Sequence, residues 1–212
     1  MKKIIQYNLE ILTCILTIII LYSVLNWNEL SLLRQMTTIF MLLYTLHEWE
    51  ESRFPGGFYR IFFSKCTIDP NVSEASMHFP VAIYLLVILL IPYTFDEIVV
   101  LALVPLVLAI FEGFIHTAGI IIHQLKKPYS PGMITAWIMF GYSIYMISQL
   151  NSQLNLSAVT WIVGIILTFV SFFIMETQFL KTVGITIKEF QTSMKNHING
   201  ISKHNPSSNH TR

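Results

Sequence analysis

Six apolar stretches, at residues 9–27, 30–49, 79–95, 98–125, 131–150 and 158–180, dominate the chain, and the connections between most of them are short. A helix needs roughly 20 mostly apolar residues to cross a hydrocarbon core of ~30 Å, and the stretches cluster around that length. Lipid offers the backbone no hydrogen-bond partners, so only helices or closed barrels cross it. The alternating ten-residue segments of a barrel are missing from the sequence, which leaves helices. The expected fold is all-α: a polytopic transmembrane helical bundle of about six spans. The second stretch is the least hydropathic because Arg34, Gln35, His47 and Glu48 lie at its ends, and the third is short.

Composition agrees. Charged residues make up 12% of the chain and hydrophobic ones 54%, about half the charge expected of a soluble domain. No linker of disorder-like composition divides the stretches, so residues 1–181 read as one transmembrane domain followed by a polar cytoplasmic tail at 182–212. A net charge of +1 cannot neutralise a row of phosphates, which excludes nucleic-acid binding and leaves membrane lipids as the expected partners. Cys14 lies in an apolar run and Cys66 in a polar connection, a setting that suggests free thiols. The apolar run after Lys2-Lys3 lacks a small-residue cleavage site, so it reads as a retained first span.

Orientation follows from the basic residues. With the N-terminus inside, twelve of the thirteen Lys and Arg fall on the inner side and Arg34 alone falls outside. That asymmetry predicts an even number of spans with both termini in the cytoplasm, in a multi-pass protein of the cell membrane. The longest connection, residues 50–77, mixes aromatic and basic residues. It reads either as an interfacial segment along the inner leaflet or as a loop packed over helix ends. The tail, with His197, His204 and His210, reads as too polar to order itself.

The second stretch ends His47-Glu-Trp-Glu-Glu51. On a helix His47, Glu50 and Glu51 stand at i, i+3 and i+4 and share a face, while Glu48 points ~100° away. Imidazole and carboxylate one turn apart form a chelating pair. The fourth stretch carries Glu112 about 21 Å into its helix, near mid-membrane. A charge there costs roughly 2.5–3.5 kcal/mol on insertion scales, so Glu112 is expected to be paired or functional. His116 lies one turn on, about 6 Å along the axis, and the two can meet at one ion. His123 returns to the same face ~16 Å away and cannot share that ion. Ala109 and Gly113 stand at small-xxx-small spacing and invite a neighbouring helix to approach, and Pro105 and Gly119 allow a bend. His78 and Glu176 fall in the same inner layer. A hydrogen-bonded stitch between two helices is the alternative reading of Glu112 and His116.

His47-x-x-Glu50-Glu51 resembles the H-x-x-E-E motif of the HXXEE family of bacterial membrane proteins. Glu112-x-x-x-His116 and the turn Tyr129-Ser-Pro-Gly-Met-Ile-Thr135 are also similar to that family. By that resemblance His47, Glu50 and Glu51 are the motif positions and Glu48 and Trp49 the variable pair; the reaction stays open.

The residues together suggest a membrane-embedded metal-dependent enzyme, a hydrolase acting on a lipid or amphipathic substrate at the cytoplasmic side. His47, Glu51, Glu112 and His116 are the expected ligands of a divalent ion such as Zn, Mn or Fe. Glu50, Glu51 and Glu112 are the expected acid or base groups. The H-E-x-x-H zinc signature, a G-x-S-x-G elbow and a phosphate-cradling loop are all missing from the sequence. A small proton- or ion-coupled transporter using Glu112 and His116 is the competing reading, and a non-catalytic scaffold the third.

Overall fold

The structure, a computed structural model, describes residues 2–66 and 68–204. It is built from helices α1 (Lys2–Gln6), α2 (Asn8–Leu25), α3 (Leu32–Ser52), α4 (Phe58–Phe62), α5 (Glu74–Thr94), α6 (Val99–Ile122), α7 (Met133–Leu154), α8 (Ala158–Thr182) and α9 (Ile187–His204). The described residues contain no strand. The six apolar stretches correspond to α2, α3, α5, α6, α7 and α8. Their starts follow local chemistry. Ser31, Ser73 and Ser157 cap α3, α5 and α8 by accepting the backbone N–H three residues on. The Ser73 cap starts α5 five residues before the apolar run it carries.

Five of these helices are long and apolar enough to cross a membrane. The sixth, α3, has the length without the hydropathy, and its position explains why. It packs against α2, α5, α6 and α7, with α4 across its end, and twelve of its 21 residues are buried. A helix sheathed by other helices need not be apolar toward lipid. α8 is the opposite case, with only 11% of its apolar window buried inside the bundle.

The core lies around α3 and α6. Met36, Phe40, Met41 and Tyr44 of α3 meet Leu103, Leu106 and Leu108 of α6, all at most 2% exposed. The Tyr44 hydroxyl donates to the Pro105 carbonyl at 2.7 Å, tying the two helices together. Small residues set the spacing, as the sequence predicted for Gly113: a Cβ there would stand 3.2 Å from Phe140 of α7. Gly164 of α8 is tighter, with Leu103 2.8 Å from the place of a Cβ.

A second, smaller core closes the end of the bundle where α3 and α6 finish. Tyr59, Phe63, Met77, Phe179, Leu180, Val183 and Ile185 are buried together there. Residues 58–66 thus pack over the helix ends. Both ends of the described chain come to this same end: Glu10 pairs with Arg53 at 2.9 Å, and Phe190 stacks on Phe62 with centroids 5.3 Å apart.

α9 departs from the expectation of an unordered tail. Ile187, Phe190, Met194 and Ile198 recur every three to four residues and form one apolar stripe. Thr186 and Glu189 make a capping box: the Glu189 carboxylate accepts from the Thr186 N–H at 2.8 Å, and the Thr186 hydroxyl accepts from the Glu189 N–H at 3.2 Å. His197 Nε2 donates to the Ile122 carbonyl at 2.8 Å, fastening α9 to the end of α6. Composition concealed a helix that periodicity and capping reveal. His210 lies outside the described residues.

The Thr186 bonds also hold the Glu189 carboxyl below its ordinary value. A depressed carboxylate stabilises the fold above its unfolded value and ceases to do so as pH falls through its folded value. The first turn of α9 is therefore expected to lose hydrogen-exchange protection selectively below about pH 4.5, and Glu189→Gln to remove that dependence. Unchanged protection down to pH 3 in the wild type would contradict the assignment.

Candidate metal centre

α3 and α6 run in the same direction, and each carries an imidazole and a carboxylate four residues apart, in opposite order. His47 therefore lies level with Glu112, and Glu51 lies level with His116. His47 Nε2 is 3.6 Å from Glu51 Oε1 and 4.0 Å from Glu112 Oε2. His116 Nε2 is 3.0 Å and 3.7 Å from the same two oxygens. One ligand atom from each of His47, Glu51 and His116 fits within 4.8 Å of the others. Four ligands around zinc at ~2.0–2.1 Å stand roughly 3.3 Å from one another, and the four imidazole–carboxylate separations, from 3.0 to 4.0 Å, lie on either side of that distance. His116, His47 and Glu51 are 0, 3 and 5% exposed, and Glu112 is half-buried on the wall of the site.

The outer nitrogens of the two rings fix what the inner ones present. His47 Nδ1 lies 3.1 Å from the Gly132 carbonyl, which can only accept, so Nδ1 carries the hydrogen. His116 Nδ1 lies 3.1 Å from the Ser130 hydroxyl, which itself donates to the His116 carbonyl and so accepts from the ring. These tautomers are assigned from the hydrogen-bond network. Both Nε2 atoms then present lone pairs toward two carboxylates. His116 Nε2 has no hydrogen-bond partner among the described residues, although Glu51 Oε1 lies 3.0 Å away. His47, Glu51 and His116 form a buried group that could hold a metal ion, and Glu112 lies beside it. Outer partners that orient a ligating histidine in this way are characteristic of metal sites.

The turn before α7 supplies those partners, and Gly132 is its closest approach. Its φ of +90° is unfavourable for any side chain. A Cβ would also stand 2.5 Å from His116 Cε1 and 2.7 Å from Glu51 Cγ. Sequence reading singled out this turn only by resemblance. A glycine in a turn was the available signal, but nothing local shows which side chains rest on it.

Glu50, expected as an acid or base group, faces the turn before α7 rather than the cluster. Its carboxylate accepts from the Tyr129 hydroxyl at 2.9 Å, the Ile134 N–H at 3.1 Å, and both the N–H and hydroxyl of Thr135, at 2.9 and 2.6 Å. It caps the first turn of α7 from another helix, where a negative charge is favoured. Thr135 Oγ1, its proton engaged by Glu50, also accepts from His47 Nδ1 at 3.0 Å. Glu50 thus positions His47 through Thr135.

Glu48, expected to point elsewhere, is buried as well and lines a cavity of about 90 Å³ together with His47, Glu51, Glu112 and Glu176. On its far side His78 Nδ1 is 3.7 Å from Glu48 Oε2 and 3.1 Å from the Ser52 hydroxyl. His123 stays apart, as its distance along α6 required, and lies against His197 with ring centroids 6.3 Å apart.

Residues 38–146 match the family described as "protein of unknown function with HXXEE motif". The chain belongs to the HXXEE family. The matched segment runs from α3 into α7 and contains all the residues of the centre: His47 to Glu51, Glu112, His116 and the turn through Thr135. In HXXEE terms, the motif histidine and its last glutamate face the centre, and the middle glutamate holds the turn that orients the histidine. No curated protein and no solved structure matches the chain.

Proposed function

We propose that the protein is a metal-dependent enzyme of the cell membrane, a hydrolase, with a divalent transition metal held by His47, Glu51, Glu112 and His116. The observation that carries this reading is the convergence of two imidazole lone pairs and two carboxylates, with both ring N–H groups bonded outward. Nitrogen and carboxylate ligands in this number suit Zn, Mn or Fe. An ion held by these residues would supply Lewis-acid chemistry, polarising a carbonyl and activating water. Glu48 lines the same cavity and would be the group to take up a proton there.

The inward bias of Lys and Arg supports a site opening toward the cytoplasmic leaflet, with both termini inside. The aromatic lining of the cavity by Phe58, Tyr59, Phe62 and Phe172 supports a lipid or amphipathic substrate. A carrier would need a polar path to the opposite end of the bundle. The interior beyond the cluster is instead filled by Met36, Phe40, Leu103 and Leu106, each at most 1% exposed, which favours an enzyme.

Elemental analysis of the protein purified into lipid nanodiscs without chelators tests the reading. The expected result is close to one equivalent of transition metal per chain, removed by dialysis against a chelator and restored by one of Zn, Mn or Fe. Less than a tenth of an equivalent after incubation with each of the three would defeat it.

A further inference from the structure

The cavity at the cluster is too small to hold a substrate: about 90 Å³ accommodates roughly three water-sized groups at ~30 Å³ each. A second cavity of about 340 Å³ adjoins it between α4, α6, α8 and α9, and has His116 itself in its wall. The two share Phe58, Phe62, Ile115, Phe172 and Glu176. This volume falls at the lower end of the ~300–1,000 Å³ range of small-molecule sites. At ~30 Å³ per group it takes roughly eleven methylene-sized groups, one chain of medium length and not two.

Gly119 leaves open space on the wall of this cavity. Gly113, Gly164 and Gly132 each answer to a close contact. A Cβ on Gly119 would meet nothing within 4 Å among the described residues, although the glycine is half-buried and lines the larger cavity. It stands three residues after His116, one turn along the same helix. Helical glycine weakens a helix, and here the bare backbone leaves room beside the cluster. Met194 of α9 forms part of the opposite wall, a flexible side chain that adapts to what lies against it.

We propose that the centre acts on a single-chain amphiphile, whose alkyl or acyl chain lies in the 340 Å³ cavity along Gly119 and Phe172 and whose polar end reaches the cluster at His116. This rests on the metal-dependent reading above and adds the class of substrate and its seat.

The test uses cobalt-substituted protein in nanodiscs and two metal-chelating probes of different chain length, acetohydroxamate and dodecanohydroxamate, read by the visible bands of the bound cobalt. The wild type is expected to bind the long probe at least tenfold more tightly than the short one. Gly119→Leu, which fills the cavity from one turn beyond His116, is expected to erase that preference. Met194→Trp fills the same space from α9 and is expected to act likewise, which guards against a folding defect of one variant. Bilayer partitioning of each probe is the same for all three proteins and cancels. An equal preference in wild type and both variants, or none in the wild type, overturns the substrate class and leaves the metal site standing. Cobalt that does not bind, or bands that respond to neither probe, overturns the metal reading and this proposal with it.

Discussion

His116→Ala is expected to release the bound ion while the bundle stays folded, lowering metal affinity more than a hundredfold. Loss of an outer partner to a ligating histidine already costs ten- to a hundredfold, and in the proposed site His116 is itself a ligand, with Nε2 within 3.7 Å of both carboxylates. Thermal unfolding adds a second readout. A ligand at a hundred times its Kd stabilises the folded state by about 2.7 kcal/mol. Zinc should therefore raise the melting temperature of chelated wild type and leave that of His116→Ala unmoved. If the four side chains were instead an interhelical hydrogen-bonded stitch, zinc would shift neither protein. The variant would then show only the ~1–3 kcal/mol loss that follows from leaving a buried polar group unpaired. Equal zinc-induced shifts in both proteins would remove His116 from the ligand set.

Gly132→Ala is expected to be the most damaging substitution of a residue that itself binds nothing. The left-handed conformation at φ +90° costs an alanine roughly 1–2 kcal/mol. The new methyl group also enters space held by His116 Cε1 at 2.5 Å and Glu51 Cγ at 2.7 Å, and such overpacking adds about 1–3 kcal/mol. The sum, about 3 kcal/mol, falls on the two ligands that lie closest together, so metal affinity should drop at least tenfold. Gly57→Ala separates the two causes. Gly57 has a φ of +91°, yet a Cβ there meets nothing within 4 Å among the described residues. Its alanine variant should lose about 1 kcal/mol and keep the ion. Full metal affinity in Gly132→Ala would mean that the turn before α7 does not bear on the centre.

The long helices were legible because a span of hydropathy is a local property that survives any arrangement of neighbours. Glu112 and His116 were legible for a related reason, since charge deep in an apolar run requires an explanation wherever the helix lies. Sorting Glu48, Glu50 and Glu51 into roles was not legible. At ~100° per residue, Glu51 stands about 40° to one side of His47 and Glu50 about 60° to the other. A shared face seen in isolation becomes two faces once α6 lies on one side and the α7 turn on the other. Glu48 stands a further ~60° beyond Glu51, and there α5 brings His78 to it. Four ionisable residues in five positions can all be buried only on a helix with neighbours all around, and sequence patterning does not report how many neighbours a helix has. Gly132 was hidden for the same reason, because its importance lies in side chains 16 and 81 positions earlier in the chain.

The central place of α3 bears on how the chain is made. Emerging second of the six long helices, it carries an apolar half suited to lipid and an end with four ionisable side chains that lipid resists. The groups that satisfy that end arrive in order of synthesis: His78 with α5, Glu112 and His116 with α6, and the Thr135 turn last of all. Until residue 135 has left the ribosome, the motif helix has no finished place in the bilayer. If the centre binds an ion as proposed, its ligands could not close around it before nearly two-thirds of the protein exists, and capture of the ion would belong to the late stage of assembly, when the scaffold that excludes the wrong geometry is already standing.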